Sequence, residues 1–141
     1  MTRLAGALAA VVLLGAGAAS AEPILQPGQS TSIDRTSSGQ AIVAPSGPLR
    51  MTASIVEIAA GAQTPEHQHP YPRFGYVLSG RLEMENRSTG AKTVLETGDF
   101  TADPTGQWHL GRALDGRPVR LLVIDQTPQG VATNTVPREG K

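Results

Sequence analysis

The stretch GAQTPEHQHPYPRFGYVLSG, residues 61–80, decides how this chain is to be read. Its His67 and His69 stand one residue apart. In an extended strand successive side chains alternate between faces, so positions i and i+2 project together and this pair can offer two imidazoles to one cation. Glu66, the neighbour of His67, then points to the opposite face and is not expected as a ligand. Pro65, Pro70 and Pro72 stiffen the segment and limit the freedom lost when its side chains converge. The third and last histidine, His109, follows Trp108 in GDFTADPTGQWH, residues 98–109. It has to reach the pair through the fold.

Outward from this stretch, the pattern is one of short strands. Residues 49–58 carry Met51, Ile55, Val56 and Ile58 among small polar residues, with no helix-capping pattern. Residues 74–78 are aromatic and β-branched and stop at Ser79-Gly80, where glycine permits a reversal. Leu82-Glu83-Met84-Glu85 alternates with period two, placing Leu82 and Met84 on a core face and both glutamates in water. Arg87 to Gly90 reads as a hairpin turn with its return strand at Lys92 to Leu95. Further turns fall at 97–99 and 104–106, around a short strand at 100–102. The apolar run from Leu121 to Ile124 is expected as a strand buried on both faces. No segment shows a helical stripe. The fold class expected is all-β, an antiparallel sandwich or barrel in a single domain.

The ends read differently. Residues 1–21 have one early arginine, an apolar stretch from Leu4 to Gly17 and Ala19-Ser20-Ala21 before Glu22, the layout of a secretory signal peptide. That stretch falls short of the roughly 18 to 20 apolar residues of a bilayer span, so a periplasmic or secreted chain with no membrane anchor after cleavage is expected. Residues 22–40 read as a flexible, exposed arm and residues 41–126 as the barrel. Residues 127–141 read as a polar tail that packs loosely or crosses to a neighbouring subunit. The absence of cysteine excludes disulfides and thiolate metal sites. Twelve basic residues balance twelve acidic ones, so no strong pull on nucleic acid or membrane follows, and the partner expected is a small molecule or ion.

Two spacings then carry a family resemblance. Gly61 is followed after five residues by His67, then by His69, Arg73 and Gly80; Gly98 is followed after five residues by Pro104, then by Gly106 and His109. In order, they resemble the paired signature motifs of the cupin superfamily over residues 61–113, with flanking strands at 41–58 and 119–125. The resemblance implies a jelly-roll barrel, or double-stranded β-helix, whose two sheets close over a pocket. In that family two histidines and a glutamate of the first motif and a histidine of the second bind a divalent metal. His67, His69 and His109 match. Arg73 occupies the glutamate position and Ala113 that of a frequent asparagine. A guanidinium offers donors only, so Arg73 cannot replace a carboxylate ligand.

A three-histidine centre suits iron first, with manganese, nickel, copper or zinc also compatible, and leaves positions open for oxygen, water or substrate. Arg73 has two readings: a surface partner of Glu83 or Glu85, or a bidentate clamp for an anionic substrate. Trp108 and Tyr71, on loop edges, are the aromatic candidates for touching a ligand, whereas Phe74 and Tyr76 are expected in the core. The function expected is metal-dependent action on a small organic molecule, of dioxygenase type. Alternatives are binding without turnover, or a metal-free isomerase or epimerase. An isomerase or epimerase has no obvious base while the histidines are ligands, and stays open only metal-free, where His67 or His109 could take the proton. A homodimer is expected from the resemblance.

Overall fold

The computed structural model describes residue 25 and residues 28–140, so the expected signal peptide lies outside the described residues. Among the described residues nine strands form: β1 Leu49–Ile58, β2 His67–Gln68, β3 Arg73–Ser79, β4 Arg81–Asn86, β5 Lys92–Glu96, β6 Phe100–Ala102, β7 His109–Ala113, β8 Val119–Pro128 and β9 Val136–Pro137. They make one sheet of order β1-β8-β3-β6 and another of order β5-β4-β7-β2-β9, with every strand pairing antiparallel. Two such sheets facing each other are the antiparallel sandwich expected from the short alternating strands, in the jelly-roll form that the family resemblance implies.

Local chemistry sets the reversals. Gly80 joins β3 to β4 at a φ of 89°, and a Cβ there would come within 2.5 Å of the Pro118 carbonyl oxygen. No other residue fits without moving that backbone. β4 alternates as its sequence dictates, with Leu82 and Met84 buried. They join Ile58, Val77, Leu95, Ala113 and Val119 in one apolar cluster between the sheets.

Four expectations need correction. β8 is not buried on both faces: Val119, Val123, Asp125 and Thr127 are buried, while Leu122 and Ile124 are half-covered on the opposite face. Phe74 and Tyr76 share that outer side, because Arg73 and Val77 point inward and side chains alternate along β3. Phe74 stacks on Phe100 there at 6.3 Å, outside the core cluster.

The arm expected over residues 22–40 is held to the barrel in its last part. Thr36 is buried, Ser37 N–H donates to Ala102 O at 2.8 Å, and the Gln40 amide exchanges two 2.9 Å hydrogen bonds with the Thr105 backbone. The tail, expected to pack loosely or cross to a neighbour, instead closes on its own chain. β9 pairs with β2, placing Pro137 opposite His67. Both segments are polar, and hydrogen bonds rather than apolar periodicity hold them.

Candidate metal centre

The three histidines come together through two strand contacts. β2 lies antiparallel to β7 with His67 directly opposite His109. His69 falls just beyond β2, where its backbone bridges Thr105 and its carbonyl accepts the Gly106 N–H at 2.8 Å. The Pro104–Gly106 corner of the second motif thereby fixes the end of the first. The ring centroids lie 4.6 Å apart for His67 and His109, and 4.9 Å from each of these to His69. His69 and His109 are buried and His67 is half-buried.

Each ring is oriented by a backbone carbonyl. His67 Nδ1 lies 2.7 Å from Pro65 O, His69 Nδ1 2.8 Å from Asn134 O, and His109 Nδ1 2.8 Å from Gln107 O. A carbonyl oxygen only accepts, so each Nδ1 carries the proton and each neutral ring offers an Nε2 lone pair. This is how metal-binding imidazoles are held in a ligating tautomer. His109 Nε2 is buried with no hydrogen-bond partner, a costly arrangement unless something ligates it. One ligand atom from each histidine lies within 4.8 Å of the others. The residues therefore fit a divalent cation.

The sequence profile of the cupin domain family matches residues 54–125, half of the chain, and so spans both histidine motifs. The chain belongs to the cupin family. Among solved structures, this cupin is similar to the DMSP lyase DddQ from Ruegeria pomeroyi DSS-3, at 30% identity over 64% of this chain and 45% of the lyase, with a TM-score of 0.54. It is similar to an oxalate decarboxylase from Lactobacillus farciminis solved as a formate complex, at 21% identity over 62% of this chain and 26% of the decarboxylase (TM-score 0.53). A Klebsiella pneumoniae protein with a double-stranded β-helix domain aligns at 22% identity over 64% of this chain and 76% of its own (TM-score 0.51). The match spans less than half of the lyase and of the decarboxylase. None of the curated proteins matches the chain significantly in sequence.

Arg73 in this cupin pairs with neither Glu83 nor Glu85. Glu83 is paired with Lys92 and Arg112, and Glu85 with Arg87 and Lys92. Arg73 sits opposite Asp125 across β3 and β8, and its Nε and Nη2 each donate to one carboxylate oxygen at 2.8 Å. The two-pronged fork expected to clamp a substrate is thus occupied by the protein itself. Nη2 also donates to Thr135 Oγ1 at 3.0 Å, while Nη1 lies 3.5 Å from His69 Nε2. Buried Asn134 ties this pair to the metal centre. Its Nδ2 donates to Asp125 Oδ1 at 2.7 Å, its Oδ1 accepts the Tyr71 N–H at 3.0 Å, and its carbonyl orients His69.

A cavity of about 70 Å³ opens beside the rings. Its lining combines the polar His67, His109, Arg73 and Asp103 with the apolar Val56, Ile58, Leu82, Met84, Leu121 and Val123. Trp108 and Tyr71 are not among its lining residues. Trp108 lies under the Arg138 guanidinium, 5.4 Å from its ring centre, a cation–π contact at the surface. Tyr71 serves through its backbone contacts with Asn134.

Asp103 was missed by sequence reasoning, which left the pocket with no carboxylate. Its Oδ2 lies 3.4 Å from His69 Nε2. The available signal was its place directly before Pro104, inside the second motif.

The electrostatics favour the neutral form of His67 and His109. Burial lowers His67 to about 4, with His109 and His69 acting in the same sense against the Pro65 hydrogen bond. Burial also lowers His109, against the opposing effect of Asp103. For Asp103, burial alone would raise the carboxyl, but the contact with His69 and the nearby His109 and Arg73 outweigh it and bring the group below its ordinary value. Free-base imidazole is the ligating form.

These shifts set a pH dependence for the metal-free protein. His67 binds its proton near pH 4 when folded and near 6.5 when unfolded, so between these values the unfolded chain holds more protons. Stability of the chelated protein is expected to fall as pH drops from about 6.5 towards about 4. Urea unfolding at pH 7 and pH 4.5 measures it. A His67→Gln variant should show a smaller drop, and an equal drop would remove His67 as the cause.

Proposed function

We propose that this exported cupin binds one divalent metal through His67, His69 and His109 and acts on a small organic anion, as a dioxygenase-type oxidoreductase when the metal is iron. The observation that carries the reading is the set of three carbonyl-oriented rings that turn their Nε2 atoms inward, one of them buried without a partner. A bound metal would supply a Lewis-acidic centre and, if redox-active, electron transfer. The chain itself does the rest.

The apolar residues of the lining lower the local polarity, which strengthens any charge interaction within the cavity. Its 70 Å³ is small beside the roughly 300–1,000 Å³ of drug-sized pockets, which favours a substrate of few heavy atoms. With Nε and Nη2 committed to Asp125 and Thr135, the two N–H groups of Nη1, 3.5 Å from His69 Nε2, are the part of the Arg73 fork left to meet an anion. The DMSP lyase similarity, at 30% identity, places a lyase on a related barrel. Turnover is therefore to be assayed beyond oxygen chemistry alone.

The test is elemental analysis of purified protein, native and after reconstitution with iron, manganese, nickel, copper and zinc, followed by oxygen uptake with small carboxylates, diketones and thiols. About one metal per chain, with substrate-dependent oxygen uptake, is the expected result. Metal without any turnover replaces it with the binding reading. No metal under any condition overturns it.

A further inference from the structure

We propose that Asp103 is the fourth ligand of the metal centre, a carboxylate from the second motif that stands in for the one the first motif lacks. This rests on the reading that the three histidines bind a metal, and it concerns which protein atoms complete the coordination sphere.

The backbone of Asp103 is fixed at the end of β6. Its N–H donates to Arg73 O at 2.9 Å, and Pro104 behind it is fully buried. The side chain lines the same cavity as His67 and His109 and brings Oδ2 to 3.4 Å from His69 Nε2. The proton on His69 Nδ1 is already given to Asn134 O. The ring atom of His69 not engaged by Asn134, its Nε2, is therefore the one that faces the carboxylate oxygen. The donor that does face Nε2, Arg73 Nη1, is 3.5 Å away, long for a hydrogen bond.

A shared cation resolves the contact. Ligand bonds of roughly 2.0–2.1 Å at near-tetrahedral angles put two donor atoms about 3.4 Å apart, which is the spacing found between Nε2 and Oδ2. The partnerless Nε2 of His109 is an independent sign that an electron-pair acceptor belongs among these groups.

Charge leads to the same assignment. Three neutral imidazoles leave a divalent ion with its full charge in a cavity that also holds a guanidinium. Arg73 is neutralised by Asp125 in a bidentate pair, so Asp103 is left to balance the ion. In effect the carboxylate has moved across the cavity, from the strand of the first motif to the corner of the second. Mixed imidazole and carboxylate ligation favours iron, manganese or zinc over copper(I), and it leaves one fewer position for water or substrate.

The experiment is a cobalt(II) titration of the full chain, read by visible absorption and by competition with a chelating indicator. Wild type is compared with Asp103→Asn, Asp103→Glu and Asp103→Ala. Wild type should bind about one cobalt per chain, Asp103→Asn and Asp103→Ala should bind at least about tenfold more weakly with an altered absorption band, and Asp103→Glu should recover part of both. Unchanged affinity and band shape in Asp103→Asn would assign the contact instead to a doubly protonated His69 and overturn the proposal. Wild type that binds no cobalt would overturn the metal reading itself, a distinct outcome. Should the variants fail to fold, a crystal structure of cobalt-loaded wild type decides: Asp103 oxygen at about 2.0–2.2 Å from the metal supports ligation, and an oxygen beyond about 3 Å ends it.

Discussion

A His67→Ala/His109→Ala variant is expected to bind no stoichiometric divalent metal under conditions that load the native chain with about one ion. The two residues face each other across β2 and β7, so the double change removes two of the three imidazoles at one point of the sheet. His69 would remain with Asp103 at 3.4 Å, too few donors to hold an ion against water. The variant should still fold. The Nε2 of His109 has no partner to lose, and neither histidine belongs to the apolar cluster around Val77 and Leu82. Thermal unfolding with and without metal reads both points at once. Metal at a hundredfold excess over its dissociation constant stabilises a binding protein by about 2.7 kcal/mol. Native protein should show such a shift and the variant none. A variant that keeps about one tightly held ion would mean that the three rings are not the site.

The parts of this molecule that could be read from sequence are those whose signal is local. The β3–β4 reversal at Gly80, the alternation of Leu82 and Met84, and the spacing of the two histidine motifs all follow from periodicity over a few residues. What escaped was carried by pairings distant in sequence between polar residues. Arg73 meets Asp125 because β3 lies beside β8 in one particular register, and nothing near either residue announces it. Asn134 is polar, flanked by threonines and far along the chain, yet it is buried and orients His69. Asp103 lay within the second motif, but attention to glycine, proline and histidine spacing passed over it. Trp108 and Tyr71 flank the histidines in sequence. Neither lines the cavity, so closeness in the chain was a poor guide to closeness in space.

Asp125→Ala is expected to destabilise the folded chain by about 3–5 kcal/mol, the scale found when one partner of a buried ion pair is removed. Both side chains are largely covered, Arg73 at 15% and Asp125 at 13% exposure. The truncation would leave a guanidinium that can neither lose its proton nor reach bulk water. Thr135 Oγ1 at 3.0 Å would be its remaining close acceptor. Asn134 Nδ2 would lose its 2.7 Å partner as well, loosening the residue whose carbonyl holds His69. Stability and metal affinity should therefore fall together, whereas a change at the surface would alter neither. Urea unfolding of the chelated protein gives the first quantity and cobalt competition the second. The double variant Arg73→Met/Asp125→Leu separates charge from packing. It removes both ions while keeping apolar volume between β3 and β8, so it should be more stable than Asp125→Ala. A cost for Asp125→Ala below about 1 kcal/mol, the level of an exposed pair, would show that Arg73 reaches solvent when released. Its role as an internal strut between β3, β8, the tail and the metal centre would then fail.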